Sequence, residues 1–144
     1  MTDKFIELAD GFFVAPQITP DDVREAAAQG VKVIINNRPD GEEFGQPRGA
    51  EIEAAAKACG INYVAIPMAG MNFTEACLDA FDKAVSAGQG PVLAYCRTGT
   101  RSTVLRACAK ARAGAPAMEI LQEAANAGYN ISGIAPRLAA LARG

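Results

Sequence analysis

The chain has 144 residues, half of them hydrophobic, and carries 14 Lys and Arg against 16 Asp and Glu for a formal net charge of −2. That length suits one domain spanning 1–144 with a packed core, and with no basic block or aromatic-interleaved basic stripe, nucleic acid is not an expected partner. No apolar run approaches about 18 residues, and the start of the chain (Met1 to Lys4) lacks a signal-peptide layout, so a cytoplasmic protein with no membrane partner is expected.

Histidine is absent and the four cysteines are Cys59, Cys77, Cys96 and Cys108. An ordinary Cys/His zinc site is excluded, and none of the cysteines stand in a C-x-x-C pair, so neither metal nor cofactor is expected. A cytosolic compartment disfavours disulfides. The missing imidazole also removes every Cys–His or Ser–His catalytic pair.

In chain order, residues 5–8 and 12–15 read as two short strands joined by a turn at Ala9, Asp10 and Gly11. Thr19 is a good N-cap for a helix with Pro20 in its first position and acids in its first turn, ending near Gly30. The β-branched run 31–36 predicts a central parallel strand, broken by a loop from Asn37. A helix is expected at about 48–59, a strand at 61–66, a loop at 67–73 and a helix from Thr74 to about Ala87. In that last helix, Leu78, Phe81 and Val85 fall at core-facing spacing. A strand at 91–95 follows, then helices at 101–113, about 116–127 and about 131–142. Strands alternating with helices of this length predict a single-domain α/β fold. Its sheet is four- to five-stranded, mostly parallel and flanked by helices.

The most informative segment is the loop after the strand 91–95. It runs Cys96, Arg97, Thr98, Gly99, Thr100, Arg101, Ser102 and leads directly into a helix. Successive amides there can curl around one point, giving an anion-binding concavity at a helix N-terminus. Helix N-termini and nearby cations stabilise a thiolate, so Cys96 is read as a nucleophile and Arg101 as anion-binding. Arg97 is as readily a surface charge. Gly99 permits a backbone conformation closed to other residues, Thr98 and Thr100 either donate hydroxyls to the anion or stabilise the turn, and Ser102 either caps the helix or touches the thiolate. Ligands in parallel sheets bind outside the carboxyl ends of the strands, so the loops 37–47, 67–73 and 96–102 should gather there. Arg38 and Asp40 could then charge the pocket rim or bind an acceptor, against the safer reading of a solvated turn or a structural Arg–carboxylate pair. Cys59, Cys77 and Cys108 read as small core residues.

The cysteine loop resembles that of rhodanese-type sulfurtransferases and that of protein tyrosine and dual-specificity phosphatases. Over nearly the whole length, the segments Val14 to Gln17, Ile35 to Glu42, Ala65 to Met68 and Leu93 to Ser102 resemble the phosphatase-like domain family of beta-lactamase hydrolase-like proteins. The resemblance implies a dual-specificity-phosphatase-like fold and, from the company some members keep, a sulfide-oxidising partner enzyme.

Tyrosine-type phosphatases place five residues between cysteine and arginine; here four precede Arg101, and Ser102 stands at the arginine position. Shortening the loop by one residue is expected to move the cation by up to about 3.5 Å. Tyr95 replaces the usual histidine, and the loop 67–73 contains no acid to protonate a leaving group, leaving only Asp40, Glu42 or Glu43 to reach in. Sulfur transfer needs no general acid. The expectation is therefore a sulfurtransferase working through a Cys96 persulfide, taking a small-molecule sulfur donor and a thiol or other nucleophilic acceptor. The alternatives are a phosphatase that attacks a phosphate ester with the same nucleophile, and a non-catalytic anion-binding module.

Overall fold

The computed structural model describes residues 4–71 and 73–143. The expectations resting on Met1 to Asp3, and Asn72 of the predicted loop, lie outside them. Five short strands form one sheet: β1 (Ile6–Ala9), β2 (Phe12–Ala15), β3 (Val33–Asn36), β4 (Asn62–Ala65) and β5 (Val92–Tyr95). Their order is β1-β2-β5-β3-β4, with β1 antiparallel to β2 and every other pairing parallel. The register pairs Tyr95 with both Ala15 and Asn36, and Asn36 with Ala65. The four parallel strands therefore end level, which brings the loops that follow them to one edge.

The central strand β5 and its neighbour β3 are buried along their whole length, as a sheet covered on both faces requires. Alternation along them sorts the core into two layers. Val33, Ile35, Val92 and Ala94 face one cluster, with Leu78, Phe81, Leu105, Ile120 and Leu138. Ile34, Leu93 and Tyr95 face the other, with Val23 and Ile52. Helices α1 (Pro20–Ala28) and α2 (Gly49–Ala58) cover the second face. The first is covered by α3 (Glu75–Gly88), α4 (Thr100–Arg112), α5 (Ala117–Asn126) and α6 (Ala135–Arg143). Leu78 and Phe81 are buried as their spacing predicts, and Val85 packs at the margin.

Thr19 caps α1 as expected. Its hydroxyl accepts from the Asp22 amide at 3.2 Å while the Asp22 carboxylate accepts from the Thr19 amide at 2.8 Å, a reciprocal capping box. Most boundaries differ from the pattern by a residue or two, Ala9 of the expected turn falling in β1, and the helix starts near the C-terminus and after the cysteine loop have a clear cause. The final predicted helix, 131–142, opens with a 3-10 turn at Ser132–Ile134, and α4 starts at Thr100 because Gly99, at φ 94°, turns the chain directly into the helix. Among the described residues, no helix is long and apolar enough to cross a membrane, and no three His, Cys, Asp or Glu side chains cluster in a way that could hold a metal ion.

Candidate active site

Strand β5 delivers Cys96 to the carboxyl edge, where it is fully buried beneath the loop that follows. The Gly99 amide donates to the Cys96 sulfur at 3.0 Å. As N-cap of α4, Gly99 has no side chain to satisfy the helix's first amides. Among the described residues nothing accepts from the N–H groups of Arg97, Thr98, Arg101 or Ser102, and Thr100 reaches only the Thr98 hydroxyl at 3.4 Å. This loop thus combines a sulfur at its floor with several uncommitted donors, the requirement for seating an oxyanion.

Asn37 ties the surrounding loops together. Its amide donates to the Tyr95 carbonyl at 2.9 Å and its carbonyl accepts from Met68 at 3.0 Å. Its side chain donates to the Ile66 carbonyl at 2.9 Å and accepts from the Ser102 hydroxyl at 2.8 Å. Ser102 is thereby engaged by β3's end, rather than by the helix start or the sulfur.

Charge is organised around Glu42. The Arg101 guanidinium holds it through two contacts, at 2.7 and 2.8 Å, and also donates to the Met68 carbonyl at 2.6 Å. Arg38, only 3% exposed, donates to Glu42, to Glu43 and to the Gln17 side chain. Arg97, itself exposed, lies 3.4 Å from Glu43. Hydrogen bonding from Arg101, with a second contribution from Arg38, pulls the Glu42 carboxyl down to about 2. The same Glu42 contact, and then the Cys96 side chain, hold the Arg101 guanidinium charged.

Arg101 sits on the first turn of α4, and its side chain is anchored by Glu42 and the Met68 carbonyl.

Asp40 faces elsewhere: its carboxylate accepts from the Gly49 amide at 2.8 Å and so caps α2. The Thr98 and Thr100 hydroxyls bond to each other at 3.0 Å. Tyr95, in place of a histidine, points into the opposite core layer, where burial and then the neighbouring Tyr63 push its phenol up. Two residues of the site are not singled out by the sequence pattern. Asn37 leaves only the signal of a polar residue ending a buried strand. Tyr129, whose hydroxyl donates to the Thr98 carbonyl at 3.0 Å, comes from the turn after α5 and leaves none.

Residues 4–115 match the family described as beta-lactamase hydrolase-like protein, phosphatase-like domain. The chain belongs to that family. A beta-lactamase hydrolase-like protein of Agrobacterium fabrum is 41% identical over 102 residues, covering 71% of this chain and 24% of the relative. This chain thus spans about a quarter of the length of such relatives. Among solved structures, a candidate phosphatase from Neisseria meningitidis Z2491 superposes with a TM-score of 0.86 at 33% identity, covering 97% of this chain and 99% of that one. A kinase-associated phosphatase, crystallised with its catalytic-site cysteine replaced by serine, gives a TM-score of 0.73 at 14% identity over 94% of this chain and 90% of its own, a likeness of fold alone. The family's fold here is phosphatase-like and built around a cysteine loop. These comparisons favour the phosphatase alternative over the sulfur transfer expected from the loop length, and none of the three points to a sulfurtransferase.

Proposed function

We propose that this chain is a cysteine-dependent phosphatase acting on phosphate esters. The observation that carries the reading is the Cys96 sulfur, facing the Gly99 amide at 3.0 Å beneath a loop whose Arg97, Thr98, Arg101 and Ser102 amides find no acceptor among the described residues, with the Arg101 guanidinium anchored on Glu42 in the first turn of the helix that follows. A phosphoryl group seated there places its non-bridging oxygens against the free amides and the guanidinium. The thiolate attacks phosphorus, the bond from phosphorus to the leaving oxygen breaks, and a phosphocysteine forms. Water then attacks the phosphorus, displacing the thiolate and releasing inorganic phosphate.

The second half of the reading concerns the leaving group. Asp40 caps α2, Glu42 is held as a carboxylate by two arginines, and Glu43 accepts from Arg38 and lies against Arg97. The sequence of 67–73 supplies no acid. In this reading the oxygen departs as an anion, which favours phenolic esters and anhydrides over alkyl esters.

The test is turnover of p-nitrophenyl phosphate by the wild type and Cys96→Ser, with mass analysis of acid-quenched enzyme. Phosphate release with a phosphoryl adduct on Cys96, both absent in Cys96→Ser, supports the reading. An extra sulfur on Cys96 after thiosulfate or glutathione persulfide, without phosphatase turnover, overturns it in favour of sulfur transfer. Inertness in both assays leaves an anion-binding module.

A further inference from the structure

Tyr129 belongs to a segment beyond the residues 4–115 that match the family, yet its hydroxyl reaches the nucleophile loop. Its position follows from the way α5 ends. Gly128, at φ 96°, donates to Ala125, and the Tyr129 amide donates to the Ala124 carbonyl at 2.9 Å, the paired bonds of a glycine-terminated helix. That turn aims the Tyr129 side chain at the start of α4.

There it meets a single peptide unit from two sides. The Tyr129 hydroxyl donates to the Thr98 carbonyl at 3.0 Å, and the amide on the other side of that same peptide bond, Gly99 N–H, donates to the Cys96 sulfur at 3.0 Å. A trans peptide is planar, with its C=O and N–H pointing in opposite directions. Fixing the carbonyl toward Tyr129 therefore fixes the N–H toward the sulfur. Hydrogen bonds in series also polarise one another, so the phenol strengthens the donor that faces the thiolate.

The fit is close. A Cβ on Gly99 would stand 2.2 Å from the Tyr129 hydroxyl oxygen, so only glycine lets the ring approach. From the other side Thr103 grips the Gly99 carbonyl, with its amide at 3.0 Å and its hydroxyl at 2.8 Å. Burial, and then the nearby Cys96, push the Tyr129 phenol up, which keeps the donor proton in place.

We infer that Tyr129 is a positioning residue for Cys96, orienting the Thr98–Gly99 peptide so that its amide donates to the reacting sulfur. The inference rests on Cys96 being the reactive atom, and holds whichever group that atom attacks.

The experiment is alkylation of the whole chain by iodoacetamide, read residue by residue by mass spectrometry at pH 6 and pH 9, for the wild type and Tyr129→Phe. The substitution keeps the ring and removes only the hydroxyl. The ratio of the Cys96 rate at pH 6 to that at pH 9 is expected to fall about fivefold, with Cys59 and Cys77 unchanged in the same molecules. A Cys96 ratio equal to the wild type's overturns the inference. So does a parallel rise at Cys59, Cys77 and the buried Cys108, which would mark a purely structural role through loss of fold. The outcome is independent of phosphatase turnover, so failure here is distinguishable from failure of the proposed reaction.

Discussion

Glu42 and Arg101, 59 residues apart in sequence, are joined by two short contacts that couple the loop after β3 to the first turn of α4. The pair fixes the guanidinium before any substrate arrives, and Arg38 also donates to the carboxylate, at 2.9 Å. Preorganisation of this kind reduces the ordering that substrate binding would otherwise require.

Its pH dependence follows from the depressed carboxyl. Pairing with Arg101, then Arg38, holds Glu42 at about 2 against an ordinary 4.5. The folded state therefore gains stability that is fully present above about 4.5 and is lost as pH falls through about 2. Glu42→Gln should lower the thermal midpoint at pH 7 by an amount worth on the order of 1 kcal/mol, the pair being partly exposed to solvent. The gap between variant and wild type should close on going from pH 5 to pH 2. A gap that stays constant over that range would mean the ion pair is not the source of the effect.

The strand-helix alternation, the Thr19 cap and the cysteine loop were all legible because each depends on local pattern. The Val33–Asn36 and Val92–Tyr95 strands announce themselves by continuous apolar residues, and Gly99 by its place between a strand and a helix. What the pattern did not reveal is long-range. Nothing near Asp40 indicates that it caps α2 at Gly49, and nothing near Tyr129 indicates that it meets Thr98, 31 residues back. The partner of Arg101 is long-range too: spacing along the backbone sets where its Cα lies, while a flexible side chain and Glu42, 59 residues away, decide where the charge lies.

Arg101→Lys tests whether the guanidinium's forked geometry is needed. A lysine keeps the charge but has a single nitrogen where Arg101 reaches both Glu42 oxygens and the Met68 carbonyl. The expected result is a fall in kcat/KM of about 100-fold or more for p-nitrophenyl phosphate, with most of the loss in kcat. Retention of wild-type kcat/KM would show that a point charge suffices.

Asn37→Ala removes the side chain that joins the Ile66 carbonyl to the Ser102 hydroxyl at full burial. Both partners would be left in the core without a substitute. The cost is expected at roughly 2–4 kcal/mol in urea unfolding. Ser102→Ala, which removes one of the two bonds but leaves Asn37 its Ile66 contact, should cost clearly less. Equal costs would mean that Asn37 acts through Ser102 alone.

Gly99→Ala forces a methyl group to within 2.2 Å of the Tyr129 oxygen at a backbone φ of 94°, so both the loop and the turn after α5 must give. Destabilisation of about 1–3 kcal/mol is expected from the backbone alone. Tyr129→Ala in the same chain opens the space but leaves the φ, so the double variant should recover only the steric part. Full recovery would place the entire requirement for glycine in the approach of the tyrosine.

The commitment of the nearby carboxylates predicts how rate depends on the leaving group. With Glu42 and Glu43 holding guanidinium groups and Asp40 capping α2, negative charge must build on the departing oxygen without a proton to neutralise it. Across a series of substituted phenyl phosphates, log kcat/KM should therefore fall steeply as the phenol becomes less acidic, and alkyl phosphates should be turned over slower by about 1000-fold or more. A general acid would flatten that slope and add a basic limb to the pH profile. Glu75 opens α3 as an exposed acid just after the 67–73 loop, which makes Glu75→Gln the informative control. A shallow slope that steepens in Glu75→Gln or Glu43→Gln would identify that residue as the proton donor. An unchanged steep slope in both variants is what an acid-free departure requires.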